Sequence, residues 1–168
     1  MSLQITDCGL REGIRYPSPF SRVLALGYYD GPTEGLAQCG HAGPTFRFVM
    51  LDNIVGDPEE LRIFEMSPLP AGAMDQAAQL LALHESPRWP VWVPGWRPEC
   101  KPAIDRILQE TGPAEWLIAN LGDLLGEVLA ARRTSPDWAP SDRAGLLAHL
   151  GLSAGPPWLA PPAIDNGR

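Results

Sequence analysis

Nineteen prolines and seventeen glycines in 168 residues restrict what this chain can fold into more than any other feature. Proline locks φ and donates no ladder hydrogen bond, and glycine weakens the interior of helices and strands, so elements must be short and turns frequent. The punctuation divides the chain into a strand-like first half and a helix-like second half. The length suits one core, and an apolar content of 45% with six tryptophans is enough to fill it. The expected fold class is therefore α+β. An antiparallel meander of about four strands in the first half packs with three to four helices from the second. One domain covers residues 4–152, and a Pro/Gly-rich tail over 153–168 is extended or partly disordered.

In the first half, strands are expected at Arg22 to Tyr29, Gly35 to Cys39, Thr45 to Asp52 and Glu60 to Met66. Phe46, Phe48 and Met50 alternate with Arg47 and Val49, and Leu61, Ile63 and Glu65 alternate with Arg62, Phe64 and Met66, the period of two that a sheet requires. Asp30-Gly31-Pro32, Gly40 to Pro44 and Gly56-Asp57-Pro58 are the turns, each joining a residue tolerant of unusual φ to a proline that ends the ladder.

Helical spacing of small and apolar residues predicts helices over Ala73 to His84, Lys101 to Glu110 and Asp142 to Leu150. Between the first two, prolines recur from Pro87 to Pro102 with Trp89, Trp92 and Trp96 among them, which forbids a helix and predicts an extended crossover with a short strand at Val91 to Val93. Glu115 to Asn120 fits either a short strand or the start of one helix reaching Arg133. Periodicity does not arbitrate between them, and the helix is the expectation.

A net charge of −7 with scattered arginines, Arg132 and Arg133 being the one adjacent pair, leaves no basic stripe to neutralise phosphates and argues against a nucleic-acid partner. Lys101 is the sole lysine, a balance that with the Ala, Gly and Pro richness resembles a high-GC bacterial coding bias. The longest apolar stretches, within Trp116 to Ile118 and Leu124 to Ala131, fall short of the roughly 20 residues of a membrane span. Met1 to Leu3 begin no secretory signal. Three cysteines at long spacings argue against a disulfide framework, so reduced thiols in a cytoplasmic protein are expected.

Cys39-Gly40-His41 is the most site-like constellation, and Cys8 and Cys100 complete a Cys3His set that suits zinc in count. The spacing lacks the two tight pairs of structural zinc sites, so buried thiols and a turn histidine explain the same residues and no metal or cofactor is expected. Cys39 and His41 as thiol and base lack an identifiable orienting group. Asp30, Asp52 and Glu65 lie near strand ends where two carboxylates can flank a substrate, but Asp30-Gly31 and Asp52-Asn53 are also ordinary turn chemistry. His84 and His149 near helix C-termini suit a structural role. Trp89, Trp92 and Trp96 form either a partner-binding patch or lids on the core, the latter being favoured. No phosphate-binding glycine loop, nucleophile elbow, metalloprotease or EF-hand pattern occurs in the sequence.

Leu26-Gly27-Tyr28-Tyr29-Asp30-Gly31-Pro32, followed by Phe46 to Leu51 and Leu61 to Phe64, resembles small bacterial proteins of unknown function whose first hairpin carries a Tyr-Asp-Gly-Pro turn. The resemblance implies a few antiparallel strands and a helix, carries no activity or ligand, and stops at Met66.

A non-catalytic protein-interaction module of immunity or adaptor type, with a basic protein as partner, is the leading functional expectation. The alternative is a small enzyme with a carboxylate or thiol site at the first hairpin, using Asp30, Cys39 and His41. A zinc-stabilised structural domain is the third.

Overall fold

The computed structural model describes residues 9–10, 12, 15–40, 43–55, 60–82, 91–92, 94, 98–120, 124–133 and 143–152. Within them lie eight strands: β1 (Arg15–Pro17), β2 (Phe20–Tyr28), β3 (Pro32–Cys39), β4 (Thr45–Val55), β5 (Glu60–Pro68), β6 (Val91–Trp92), β7 (Trp116–Asn120) and β8 (Glu127–Arg132). Three short helices, α1 (Ala73–Leu80), α2 (Lys101–Gln109) and α3 (Arg143–His149), complete the described elements. All strands join one sheet in the order β1-β8-β7-β5-β4-β3-β2-β6. Neighbours run antiparallel except β2 and β6, which pair parallel over two residues.

The expected α+β class with helices packed on a four-strand meander is thus overturned: a curled, half-barrel sheet dominates the protein. The meander exists as β2 to β5, but it is only the middle of a larger sheet. The error lies at residues 115–133, expected as a helix and found as strands β7 and β8. All five residues of β7 are buried, because a central strand is covered on both faces and so reads as a continuous apolar run rather than an alternation. Leu124 and Gly126 take positive φ between the two strands, a conformation a helix cannot contain. Asn120 donates to the carbonyls of Leu125 and Glu127 at 2.8 and 2.7 Å and accepts from the Leu124 N–H at 2.8 Å. Its side chain therefore supplies the partners that the turn's backbone needs.

Strand register sorts the side chains onto two unlike faces. Val23, Ala37, Phe46, Phe48, Phe64, Met66, Trp116, Ile118, Val128 and Ala130 form one buried cluster running from β2 to β8. No described helix contributes to this cluster, and the curl of the sheet turns these neighbouring side chains in towards one another on its concave side. Phe48 and Phe64 meet edge to face with centroids 5.6 Å apart, a geometry that adds about 1 kcal/mol to the burial of both rings.

The convex face carries two separate helical patches. Leu24 and Leu36 pack under Ala73, Met74 and Ala77 of α1 and Ile104 of α2, while Leu61, Ile63, Leu117, Ala119, Leu129 and Ala131 pack under Leu146 and Leu150 around α3. Arg22 ties the first patch down by bonding both the Gln38 side chain and Asp75 of α1. The second patch ends in Gly151 at φ 74, with the Leu152 N–H closing onto the Leu147 carbonyl at 2.8 Å, a left-handed helix stop. Between the patches, Arg47, Val49, Glu65 and Ser67 are half-buried, and Glu65 bridges to Arg133 at 3.2 Å.

One close approach makes the β2–β3 pairing depend on a single residue. Gly35 stands opposite Ala25 at φ 154, and a Cβ there would lie 1.8 Å from the Leu24 carbonyl oxygen. Gly35→Ala must push β2 and β3 apart at that point, and we expect a loss of about 3 kcal/mol or more in urea unfolding. A loss below about 1 kcal/mol would show that the strands separate freely there.

Candidate functional site

The hairpin tip singled out in the sequence, Tyr28 to Pro32, is built on a buried arginine. β2 ends at Tyr28, which pairs with Pro32 at the start of β3. Between them Asp30 adopts φ 50 and Gly31 φ 139, values that aspartate tolerates and that glycine accepts without strain. From beneath, Arg62 of β5 donates from Nη1 to the Pro32 carbonyl at 3.0 Å and from Nη2 to the Tyr29 carbonyl at 2.6 Å. Its guanidinium is wholly buried, with the Glu60 carboxylate 3.5 Å from Nη2. A side chain at position 31 would start 3.0 Å from Nη1, so Gly31 both supplies the turn and leaves room for the clamp.

Arg62 lies on the concave face because it stands two and four residues before Phe64 and Met66 on β5, and its cross-strand neighbours are Asn53 and Asn120. The Arg62 Nε and the Asn53 Oδ1 are buried without a partner among the described residues. This end of the concave face is therefore polar and tightly held, whereas the middle is aromatic.

Beside the tip, β4 carries an irregularity between Met50 and Asp52 that turns Leu51 out of the ladder. The β3–β4 register, with Glu34 opposite Val49, brings Leu51 level with Pro32. Tyr28, Tyr29 and Leu51 are 56%, 74% and 41% exposed, and among the described residues Leu80 is the one other large apolar side chain so exposed. Exposed apolar surface is thus concentrated on this hairpin and its β4 neighbour.

Asp52 follows the bulge and grips α3. Arg143 donates from Nε and Nη2 to its two oxygens at 2.6 and 2.9 Å, and the Asn53 N–H adds a bond of 2.7 Å. The Arg143 hydrogen bond, helped by that backbone bond and by the arginine's charge, outweighs partial burial and holds the Asp52 carboxyl below its ordinary value of 3.8.

The other candidate residues are dispersed. Asp30 and Cys39 lie beyond and at opposite ends of β3, about 23 Å of extended strand, so they cannot share a substrate. Cys39 is disulfide-bonded, contrary to the three reduced thiols expected from the odd count. In that state its sulfur is neither a nucleophile nor a zinc ligand. Cys100 is a free thiol that bonds the Leu80 carbonyl at 3.3 Å. Among the described residues no three His, Cys, Asp or Glu side chains are grouped to hold a metal. Asp52 and Glu65 are taken up by Arg143 and Arg133, and His149 reaches the Arg132 carbonyl from the last turn of α3. Trp92 belongs to β6, while Cys8, His41, His84, Trp89, Trp96 and the tail from residue 153 lie outside the described residues. No helix among the described residues is long and apolar enough to cross a membrane.

Sequence reasoning found the turn but missed Arg62, although the signal was present: in the alternation of β5 the arginine occupies the face of Phe64 and Met66. No family model, curated protein or solved structure matches the chain.

Two measurements check this geometry. A disulfide removes two of the three cysteines from reaction, so thiol titration of the unfolded, unreduced protein should find one equivalent, rising to three after reduction; three from the outset would contradict the Cys39 bond. A carboxylate held below its ordinary value stabilises the fold at every pH above that value and loses the contribution as pH falls through the lowered one. Asp52→Asn should therefore be less stable than wild type at neutral pH, and the two should converge below the ordinary aspartate range. An equal gap at both pH values would separate the pair from stability.

Proposed function

We propose that this chain is a non-catalytic protein-interaction module of the adaptor or immunity kind, and that its contact surface is the β2–β3 tip together with Leu51. The observation that carries the proposal is the pairing of two exposed tyrosines with a turn whose carbonyls are held by a buried guanidinium. Tyrosine brings a large contact area at small entropic cost, and an interface gains most when its anchors are ordered before the partner arrives. An exposed aromatic hairpin would ordinarily lose entropy on binding; here the Arg62 clamp supplies the order during folding instead. The polar pairing under the turn thereby serves recognition without itself meeting the partner.

The test uses the full chain as bait in a lysate of its source organism, beside Tyr29→Ala and beside Leu80→Ala, which changes an exposed apolar residue on α1. We expect a protein retained in near-equal amount by wild type and Leu80→Ala, and lost with Tyr29→Ala. Identical retention by all three baits, or none by any, would remove the tip as a recognition surface.

A further inference from the structure

The charges around the tip point to the class of partner, an inference that rests on the interaction reading above. Asp30 stands at the apex of the turn and is exposed, as is Glu34 of β3. The Glu34 side chain lies across β2 beside Gly27, its Oε1 3.4 Å from where a Cβ of Gly27 would be. No ion pair joins either carboxylate to a described cation. Among the described residues, the cations that reach the turn itself are committed elsewhere: Arg62 is buried against the Tyr29 and Pro32 carbonyls, and Arg143 grips Asp52, while Arg47 stands further along the sheet, opposite Leu36. Among the described residues, the uncommitted charge at the turn is therefore negative, on a hairpin that also exposes two tyrosines beside Leu51.

We infer that the tip receives a protein segment presenting arginine or lysine, its cationic head against the Tyr28 or Tyr29 ring and paired with Asp30 or Glu34, its aliphatic stem on Leu51. Tyrosine faces attract guanidinium and ammonium groups, and a flanking carboxylate completes the pairing that such a head requires. The stems of both residue types bury readily on apolar surface while the charge stays near water. A net charge of −7 steers a basic partner towards the domain from a distance. The same charges disfavour other occupants. A second copy docked symmetrically would set Asp30 and Glu34 against their own equivalents, and an anionic lipid or nucleic-acid surface would meet them with like charge.

The experiment is a titration of the isotope-labelled full chain with capped hexa-arginine, followed by NMR at low and at physiological salt, with capped hexa-aspartate as control. Saturable shifts confined to Tyr28 to Glu34 and to Leu51 are expected with hexa-arginine and absent with hexa-aspartate. Tyr29→Ala should weaken binding about tenfold, and Tyr29→Phe, which keeps the ring face, should restore most of it. Asp30→Asn should weaken it about threefold and reduce its salt dependence. Asparagine tolerates the positive φ of position 30, so the turn survives that change, and the amide spectrum of each variant reports its folding directly.

Shifts spread over acidic surface away from the tip, equal binding by wild type and the variants, or tip shifts that follow protein concentration without peptide would each overturn the inference. The last of these would make the occupant a second copy. Hexa-arginine added to the bait experiment separates the two readings. A Tyr29-dependent partner that the peptide and high salt fail to displace leaves the interaction module standing and overturns the cationic segment. Absence of any Tyr29-dependent partner removes both.

Discussion

The Arg62 guanidinium does not reach solvent, so the chain around it must supply acceptors. Two are backbone carbonyls from a turn some thirty positions earlier in the chain, and the third is the more distant Glu60 carboxylate. Such an arrangement works only if β2, β3, β4 and β5 are already in register, because a slip of one residue would send the guanidinium to the convex face. The charge thus acts as a register lock for the meander, in the sense in which single buried polar groups specify one arrangement over its neighbours. Asn120, opposite Arg62 on β7, plays the matching part for the β7–β8 turn.

The two faces of the sheet are stabilised by different means. On the concave side the strands bury one another's side chains, and the large residues Phe46, Phe48, Phe64, Met66 and Trp116 span the curl. Arg132 lies over the Trp116 ring, 4.5 Å from its centre, closing that face opposite the Arg62 end. On the convex side burial depends on helices of seven to nine residues, too short to be stable alone. They are held by apolar contacts and by ion pairs to the strands beneath, Arg22 with Asp75 and Arg143 with Asp52. Helices supported in this way report on the sheet rather than organise it.

What could be read in the sequence follows from the range of each interaction. Strands β2 to β5 were legible because alternation and Gly/Pro turns are local, and α2 and α3 because their spacing and stops are local as well; α1 was expected to run to His84 but ends at Leu80, with Ala82 at φ 51. Residues 115–133 were not: a strand buried on both faces loses its alternation, and its leucines then fit a helix equally well. The hairpin turn was visible as Tyr-Asp-Gly-Pro, but its importance lay in Arg62, whose partners are thirty and thirty-three residues away. The bulge that exposes Leu51 and the Asp52–Arg143 pair, ninety-one residues apart, left no local trace. The Cys39 bond escaped because cysteine count speaks to the likelihood of a framework and not to any one pair.

The sheet order has a consequence for how the chain reaches this state. β2 to β5 are sequential neighbours, so their pairing closes only short loops and can proceed while the remainder is still being made. β1 is earlier in the chain than any of them, yet its ladder partner is β8, with Arg15 opposite Leu129. During synthesis β1 therefore lacks its ladder partner until β8, more than a hundred residues later, has followed it. Leu10, buried in the concave core with residues of β7 and β8, waits with it. The half-barrel is therefore completed at one edge by the pairing that spans the greatest length of chain, a contact of the kind that carries the largest loop-closure cost.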